Sequence, residues 1–287
     1  MEYRNIVTDI AFESAVSVNM ADSCKSEEVG CGIIKRSLHI KTKDMAERIK
    51  KPIGTYVTYD CTKSIYSSSR AAKAIESNLS GAIKSLVGLR SKASPVVVAC
   101  LGNGDIASDS LGKRVFEKIE ITRKKDANSA FKQSVCAIST GVLGKTGIET
   151  AELLSAVSRE IKPVCVLLVD SLATSVPMRI GVSFQVSTAG ITPGSGVGED
   201  KQKIDKSLLG VPVLMVGVPT LISLGTLMYG TFVDYMQATD SSLDEFKFRD
   251  TLSKKQISNM VVAPKDVDVV VENASVIISN AINLAMN

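Results

Sequence analysis

The chain has 287 residues, 45% apolar and 22% charged, a globular composition with room for one large domain or two small ones. Lys and Arg number 34 against 30 Asp and Glu, a net charge of +4 with the signs interspersed, so no basic stripe marks a nucleic-acid binder. The single histidine, His39, excludes a multi-His metal site, and its alternating context Ser37-Leu38-His39-Ile40-Lys41 reads as structural.

Taken in chain order, MEYRNIVTDI lacks the basic and apolar regions of a secretory signal. Residues 31–40 and 53–60 are rich in β-branched and aromatic residues and predict strands, with a short helix at Lys43 to Lys50 between them. Ile75, Leu79, Ile83 and Leu86 form one face of a helix within 67–89. From residue 95 the pattern is regular. Apolar strands are predicted at 95–101, 135–139, 164–169, 182–186 and 211–216, with a short sixth at 260–263. Helices are predicted from about Asp109, over 147–161, over 219–236 and over 265–285. Continuous apolar strands alternating with helices predict an α/β fold: a single three-layer domain with a twisted, mostly parallel sheet covered on both faces.

The six cysteines form no Cys-x-x-Cys, and three lie in apolar strand-like runs. The apolar runs reach about eight residues, short of the ~20 that span a bilayer. The expectation is a soluble protein of a reducing compartment, with no membrane partner and no direct contact with nucleic acid.

Ligands in open α/β sheets bind beyond the carboxyl ends of strands. Three such ends carry unusual residues: Gly102-Asn103-Gly104-Asp105 through Asp109, then Asp170-Ser171-Leu172-Ala173, then the glycine-rich stretch 189–200. Asp109 and Asp170 fall on the same predicted edge. Two carboxylates meeting there can share one proton, so that one activates a water while the other polarises a carbonyl. Either residue could instead cap a helix, or join Asp105 and Glu149 around a hard cation. Neither glycine-rich stretch completes a dinucleotide or P-loop fingerprint.

Seven motifs in order resemble the spore germination protease family. They are Thr8-Asp9-Ile10-Ala11-Phe12-Glu13, Pro52-Ile53-Gly54-Thr55-Tyr56-Val57-Thr58, and Leu101-Gly102-Asn103 with Asp109-Ser110-Leu111-Gly112. Further on come 141–150, Pro193-Gly194-Ser195-Gly196-Val197-Gly198, Leu209-Gly210-Val211-Pro212-Val213 and Ala281-Ile282-Asn283-Leu284-Ala285. The resemblance implies an atypical aspartic endopeptidase that degrades small acid-soluble spore proteins after an acidic residue, in the cytoplasm of the spore core during germination. It implies the fold of hydrogenase maturation proteases, a self-processing zymogen, a homotetramer, and Asp109 and Asp170 as the catalytic pair. No cofactor and no metal are expected.

Asn103, Gly141 and Gly194 are expected to support the oxyanion, from their loop positions. Because 8–13 is similar to a family cleavage site, self-cleavage is expected between Asp9 and Ile10. That gives a propeptide of residues 1–9 and a peptidase domain of 10–287. Two alternatives stand beside this reading: a metal-dependent peptidase of the same fold, and a non-catalytic paralogue that binds spore proteins. The chain also departs from the family pattern. Gly104 stands for a tryptophan, Lys113 for a proline, Thr140 for a proline, Ser175 for an arginine and Thr192 for a histidine, and Glu199-Asp200 replaces an Asn and a basic residue.

Overall fold

The run Val96 to Leu101 is apolar on both of its faces because helices cover both sides of the strand it forms. The computed structural model describes residues 7–87, 94–123, 133–192, 202–239, 244–254 and 260–287. It begins with helix α1 (Ala11–Ser17), strands β1 (Cys24–Glu28) and β2 (Ile34–Ile40), helix α2 (Lys43–Ile49), strand β3 (Gly54–Asp60) and helix α3 (Ser69–Val87). Strand β4 (Val96–Leu101) leads through a 3₁₀ turn (Ala107–Asp109) into α4 (Leu111–Phe116). Strand β5 (Val135–Gly141) leads into α5 (Leu143–Thr146) and α6 (Thr150–Ile161). The rest is β6 (Cys165–Ala173), β7 (Ser183–Ser187), α7 (Lys206–Leu209), β8 (Val213–Ser223), α8 (Leu224–Thr239), α9 (Glu245–Lys254), β9 (Val261–Val262) and α10 (Val267–Met286).

The strands form one sheet in the order β1-β2-β3-β7-β8-β6-β4-β5, with β9 added to β8. Strands β5, β4, β6 and β8 are mutually parallel, as the apolar runs require. Strands β1, β2, β3 and β7 extend this unit antiparallel. Odd-numbered residues of β6 and even-numbered residues of β4 pack under α3, α4 and α10. The opposite faces pack with Ile10, α6 and Leu209, and α1 and α2 cover β2 and β3. These are the three layers of an α/β domain. Helix α10 is long and apolar enough to cross a membrane by length and composition, yet Ile277, Ile278, Ala281 and Ile282 are core residues.

Several boundaries move. Strand β8 runs to Ser223 and takes the first five residues of the helix predicted at 219–236, because it pairs with β6 as far as Leu221 and with β9 beyond. Pro219 sits in it beside an irregularity in the β6 pairing, where a missing amide is tolerated. Strand β6 does not stop at Val169 but continues to Ala173, so Asp170 lies inside a strand rather than ahead of a helix. Strand β1, mostly exposed and polar at the sheet edge, carries no apolar signal. Strand β7 runs antiparallel to β8, so the chain leaves it at the sheet edge opposite the end of β4.

Candidate active site

Strand β4 is shorter than its neighbour β6, and the chain uses the difference. Cys100 pairs with Val169, after which β4 ends at Leu101 while β6 runs on to Ala173. The Gly102–Ser110 segment folds back into that corner. Its 3₁₀ turn packs against β6, β8 and α10, and Thr220 Oγ1 donates to the Ser108 carbonyl at 2.6 Å. Asp109 ends the turn, and its Oδ2 accepts the Asn103 N–H at 2.6 Å. Gly102 has φ +100°, and a Cβ there would overlap the Asp109 carbonyl and lie 2.8 Å from its Oδ1. The carboxylate therefore rests on a position that only glycine can fill.

Asp170 is buried, at 7% exposure, on the same face of β6 as Leu168 and Leu172. Its Oδ1 accepts the Ser171 N–H at 2.9 Å. It pairs with Gly217 of β8, which in turn pairs with Gln185 of β7, so these three residues lie abreast across three strands. A Cβ on Gly217 would come within 2.7 Å of the Asp170 carbonyl and of the Leu172 side chain. Asp109 and Asp170 thus both lie at the end of the sheet where β4 stops and β6 runs on. No helix follows Asp170, so helix capping does not explain it.

The N-terminal segment lies on the face that Asp170 shares. Asp9 N–H donates to the Ala173 carbonyl, and Ala173 N–H donates to Asp9 Oδ2, both at 2.8 Å. Gln185, fully buried, donates from Nε2 to the Asp9 carbonyl at 3.0 Å and accepts the Ala11 N–H at 2.9 Å. It therefore grips the backbone on both sides of Ile10, which is fully buried in the cluster containing Leu101, Leu168 and Leu172. Strands are spaced about 4.8 Å apart, which places the row position of Gln185 roughly 10 Å from that of Asp170.

Glu13 fixes the other end of this segment. It accepts hydrogen bonds from Thr174 Oγ1 (2.5 Å), Ser175 N–H (2.6 Å), Ser175 Oγ (2.7 Å) and Arg179 Nη1 (2.9 Å), with its side chain only 2% exposed. Arg179 Nε also reaches Asp60 at 3.3 Å, and Asp60 pairs with Arg36. Both guanidinium groups stack on Phe12, at 4.7 and 5.3 Å from its centroid. Lys51 Nζ donates to the Thr8 carbonyl at 2.7 Å; burial pushes its pKa down against the pull of Asp9 and Glu13. Beside it opens a cavity of about 190 Å³ whose wall includes Asp9, Lys50, Lys51, Gln185, Thr192 and Lys203.

Of the supporting residues expected from sequence, Asn103 meets Asp109 through its backbone, while its Oδ1 accepts the Asp105 N–H at 3.1 Å. Gly141 ends β5 abreast of Leu101, with φ +65°. Gly194, with the rest of 193–201, lies outside the described residues, as do 1–6 of the expected propeptide. Asp105 pairs with Lys145, and Asp105, Asp109, Glu149 and Asp170 do not converge into a cluster of ligands. Burial raises the Cys100 and Cys165 thiols to about 12, so neither is a nucleophile, and His39 is an exposed residue bonded to Thr55 on β3.

Two departures from the family pattern are coupled: a Cβ on Gly104 would overlap the Lys113 side chain, so small and long residues stand together. At the third, Ser175 binds Glu13 through its N–H and its hydroxyl, beside the Arg179 guanidinium. Sequence reasoning missed Gln185, Gly217 and the Glu13–Arg179 pair. A glutamine inside the apolar run 182–186 was the signal for the first.

Residues 13–256 match the model of the germination protease family. The germination protease of Caldanaerobacter subterraneus subsp. tengcongensis is 35% identical over 258 residues, covering 82% of this chain and 79% of that protein. That of Clostridium acetobutylicum is 34% identical over 263 residues, covering 84% and 80%. That of Halalkalibacterium halodurans is 27% identical over 354 residues, covering 100% and 95%. Among solved structures, the [NiFe] hydrogenase maturation protease HycI from Thermococcus kodakarensis matches with a TM-score of 0.39 and 14% identity, over 70% of this chain and 97% of that one. The matched length and the identity to these relatives place the chain in the germination protease family of peptidases.

Proposed function

We propose that the protein is an aspartate-dependent endopeptidase that cleaves small acid-soluble spore proteins after an acidic residue during germination, and that it processes its own N-terminus. What supports this reading is that Asp109 ends the turn following β4 and Asp170 lies in β6 just beyond the last residue that β4 pairs with, both at the same end of the sheet. One ionised aspartate takes a proton from water as the water attacks the substrate carbonyl. The other, protonated, polarises that carbonyl and later gives a proton to the leaving amine. The pair titrates as a unit. Gly141, abreast of Leu101, offers its backbone amide to the oxyanion, while the Asn103 N–H is committed to holding Asp109.

Self-processing is supported by the segment that would be cut. The Asp9 carbonyl is held by Gln185 on the face of Asp170, with Ile10 buried beside Leu172. Cleavage there requires this segment to slide along the sheet toward Asp170. The reading extends to a homotetramer acting in the cytoplasm of the spore core, which sedimentation and cell fractionation would test.

The decisive experiment gives the full chain a Thr-Glu-Ile-Ala-Ser-Glu peptide, with mass spectrometry of the peptide and of the protein's N-terminus. Cleavage after the glutamate and between Asp9 and Ile10 is expected, unaffected by chelator. Both cuts should fall at least about 1000-fold in Asp109→Asn and in Asp170→Asn. Loss with chelator would replace the pair by a metal site. A folded chain that cuts nothing would be a binding paralogue.

A further inference from the structure

A relay of hydrogen bonds crosses the peptide bond that self-processing would break. Ile10 N–H donates to Thr8 Oγ1 at 3.1 Å, and the Thr8 hydroxyl donates in turn to Glu13 Oε2. Thr8 lies on the side that a cut after Asp9 removes, whereas Ile10 and Glu13 lie on the side that stays. Both of these are fixed. The Ile10 side chain is fully buried, its carbonyl accepts the Ser14 N–H at 3.2 Å, and Gln185 holds the next amide, that of Ala11. Glu13 is held on Oε1 by Thr174 and Arg179 and on Oε2 by the Ser175 N–H and hydroxyl. Ile10 is also the N-cap of α1 and Glu13 the third residue of that helix, the spacing at which a glutamate side chain reaches back to the N-cap nitrogen. In the intact chain the Thr8 hydroxyl stands in that path.

We infer that Glu13 is the receiving site for the N-terminus that processing creates, its carboxylate pairing with the new Ile10 ammonium once Thr8 has left; the inference rests on the self-processing reading above. Water adds across the Asp9–Ile10 amide and the C–N bond breaks. Asp9 keeps the added oxygen as a carboxylate, and both hydrogens of the water end on the Ile10 nitrogen, which becomes an ammonium. With residues 1–9 gone, Glu13 Oε2 loses the Thr8 hydroxyl and the Ile10 nitrogen loses its acceptor, within two hydrogen-bond lengths of each other. A buried ammonium without a counter-charge is costly, and at the start of α1 the helix dipole opposes it as well. Pairing with Glu13 offsets both. The other charges facing Glu13 leave room for this, since Arg179 bonds the opposite oxygen and also reaches Asp60, which pairs with Arg36, and Lys51 is spent on the Thr8 carbonyl. The cut thus exchanges a neutral relay for an ion pair. Ile10 and α1 stay locked in the fold while residues 1–9 leave the face of Asp170.

The test lets the wild-type, Glu13→Gln and Arg179→Met full chains process themselves, with mass spectrometry confirming the cut and the loss of residues 1–9. Acetylation of the Ile10 amine by acetic anhydride is then followed against pH. In the wild type the amine is expected to titrate at least about one pH unit above the ordinary value of about 8, and to react at least about 10-fold more slowly at pH 7 than the amine of a free Ile-Ala-Phe-Glu peptide. Glu13→Gln should bring the titration to the ordinary value or below it, because burial then acts alone. Arg179→Met keeps the carboxylate, so the amine should stay raised. A Glu13 that merely anchors α1 would expose the amine alike in both variants. A wild-type amine that titrates at or below about 8 overturns the inference and spares self-processing, whether or not Glu13→Gln folds. A raised value that survives Glu13→Gln does the same. A full chain that keeps its Asp9–Ile10 bond overturns both.

Discussion

The parallel half of the sheet and its antiparallel extension hold their polar groups by different means. At the end of β4, Asp109 and Asp170 are placed mainly by backbone: a short strand beside a long one, amides on both carboxylates, and glycines at 102 and 217 that make room. Across β8, the N-terminal segment is held by side chains, with Gln185 on its backbone and Glu13 in a cage of hydroxyls and Arg179. Rigid backbone suits groups that must keep a reacting geometry. A network of charges suits a segment that, under the proposed self-processing, is first held and then released, since losing one partner leaves the others buried and uncompensated. The comparison predicts that substitutions in the first region change rate and those in the second change access.

The largest effect on turnover should come from crowding the first region. Gly217→Ala puts a methyl within 2.7 Å of the Asp170 carbonyl and Leu172 Cγ. Overpacking of this kind costs roughly 1–3 kcal/mol, or a few degrees of Tm in a chain of this size. A displaced Asp170 should also lower kcat by about 100-fold. Gly102→Ala should behave alike, with the left-handed backbone at 102 adding strain. Unchanged kcat in both variants would separate the aspartates from the strand geometry that is said to place them.

In the second region, Glu13→Gln or Arg179→Met should leave peptide turnover by an already processed chain near wild type while loosening the N-terminal segment. Removing one member of a buried ion pair costs roughly 3–5 kcal/mol. The loss falls on the segment, so amide exchange at Ala11 should accelerate at least about 100-fold, and Asp9–Ile10 should become open to added proteases. If exchange at Ala11 does not change, Gln185 alone holds the segment and the contrast between the two regions weakens.

How far the sequence reveals these two regions follows from the same physics. The parallel strands are legible because burial on both faces writes itself as unbroken apolar runs, and Asp109 and Asp170 stand out as the charges that end or interrupt them. The length of β6 is less legible: Ser171-Leu172-Ala173 looks like a turn until β8 is known to extend beside it as far as Leu221. The long β8 misleads in the other direction, since Leu-Ile-Ser-Leu after Pro219 suits helix and strand equally. The N-terminal network is almost invisible. Glu13, Asp60 and Arg179 are far apart in sequence and look like solvent-facing charges, and only the fold brings them together around Phe12.

The smallest effect belongs to the rim of the cavity beside Asp9, where the two regions share a wall. Asp205 caps α7 by accepting the Ser207 N–H at 2.9 Å and the Leu208 N–H at 3.3 Å, and pairs with Lys203 at 2.7 Å. Burial alone would raise its carboxyl, but the bonds from Lys203, Ser207 and Leu208 outweigh it and bring the pKa to about 2. A pKa below the ordinary 3.8 means that the unfolded chain takes up the proton first. The contribution is therefore complete above pH 3.8 and is lost as the pH falls toward 2. The carboxyl is only partly exposed and its main role is the cap, so the capping value of about 1 kcal/mol sets its size. Asp205→Ala should accordingly lower Tm by about 2–4 °C at pH 7 and by much less at pH 2. A deficit that persists undiminished at pH 2 would show that residue 205 acts by packing against Gly190 and Ile204, and that charge plays no part on this side of the cavity.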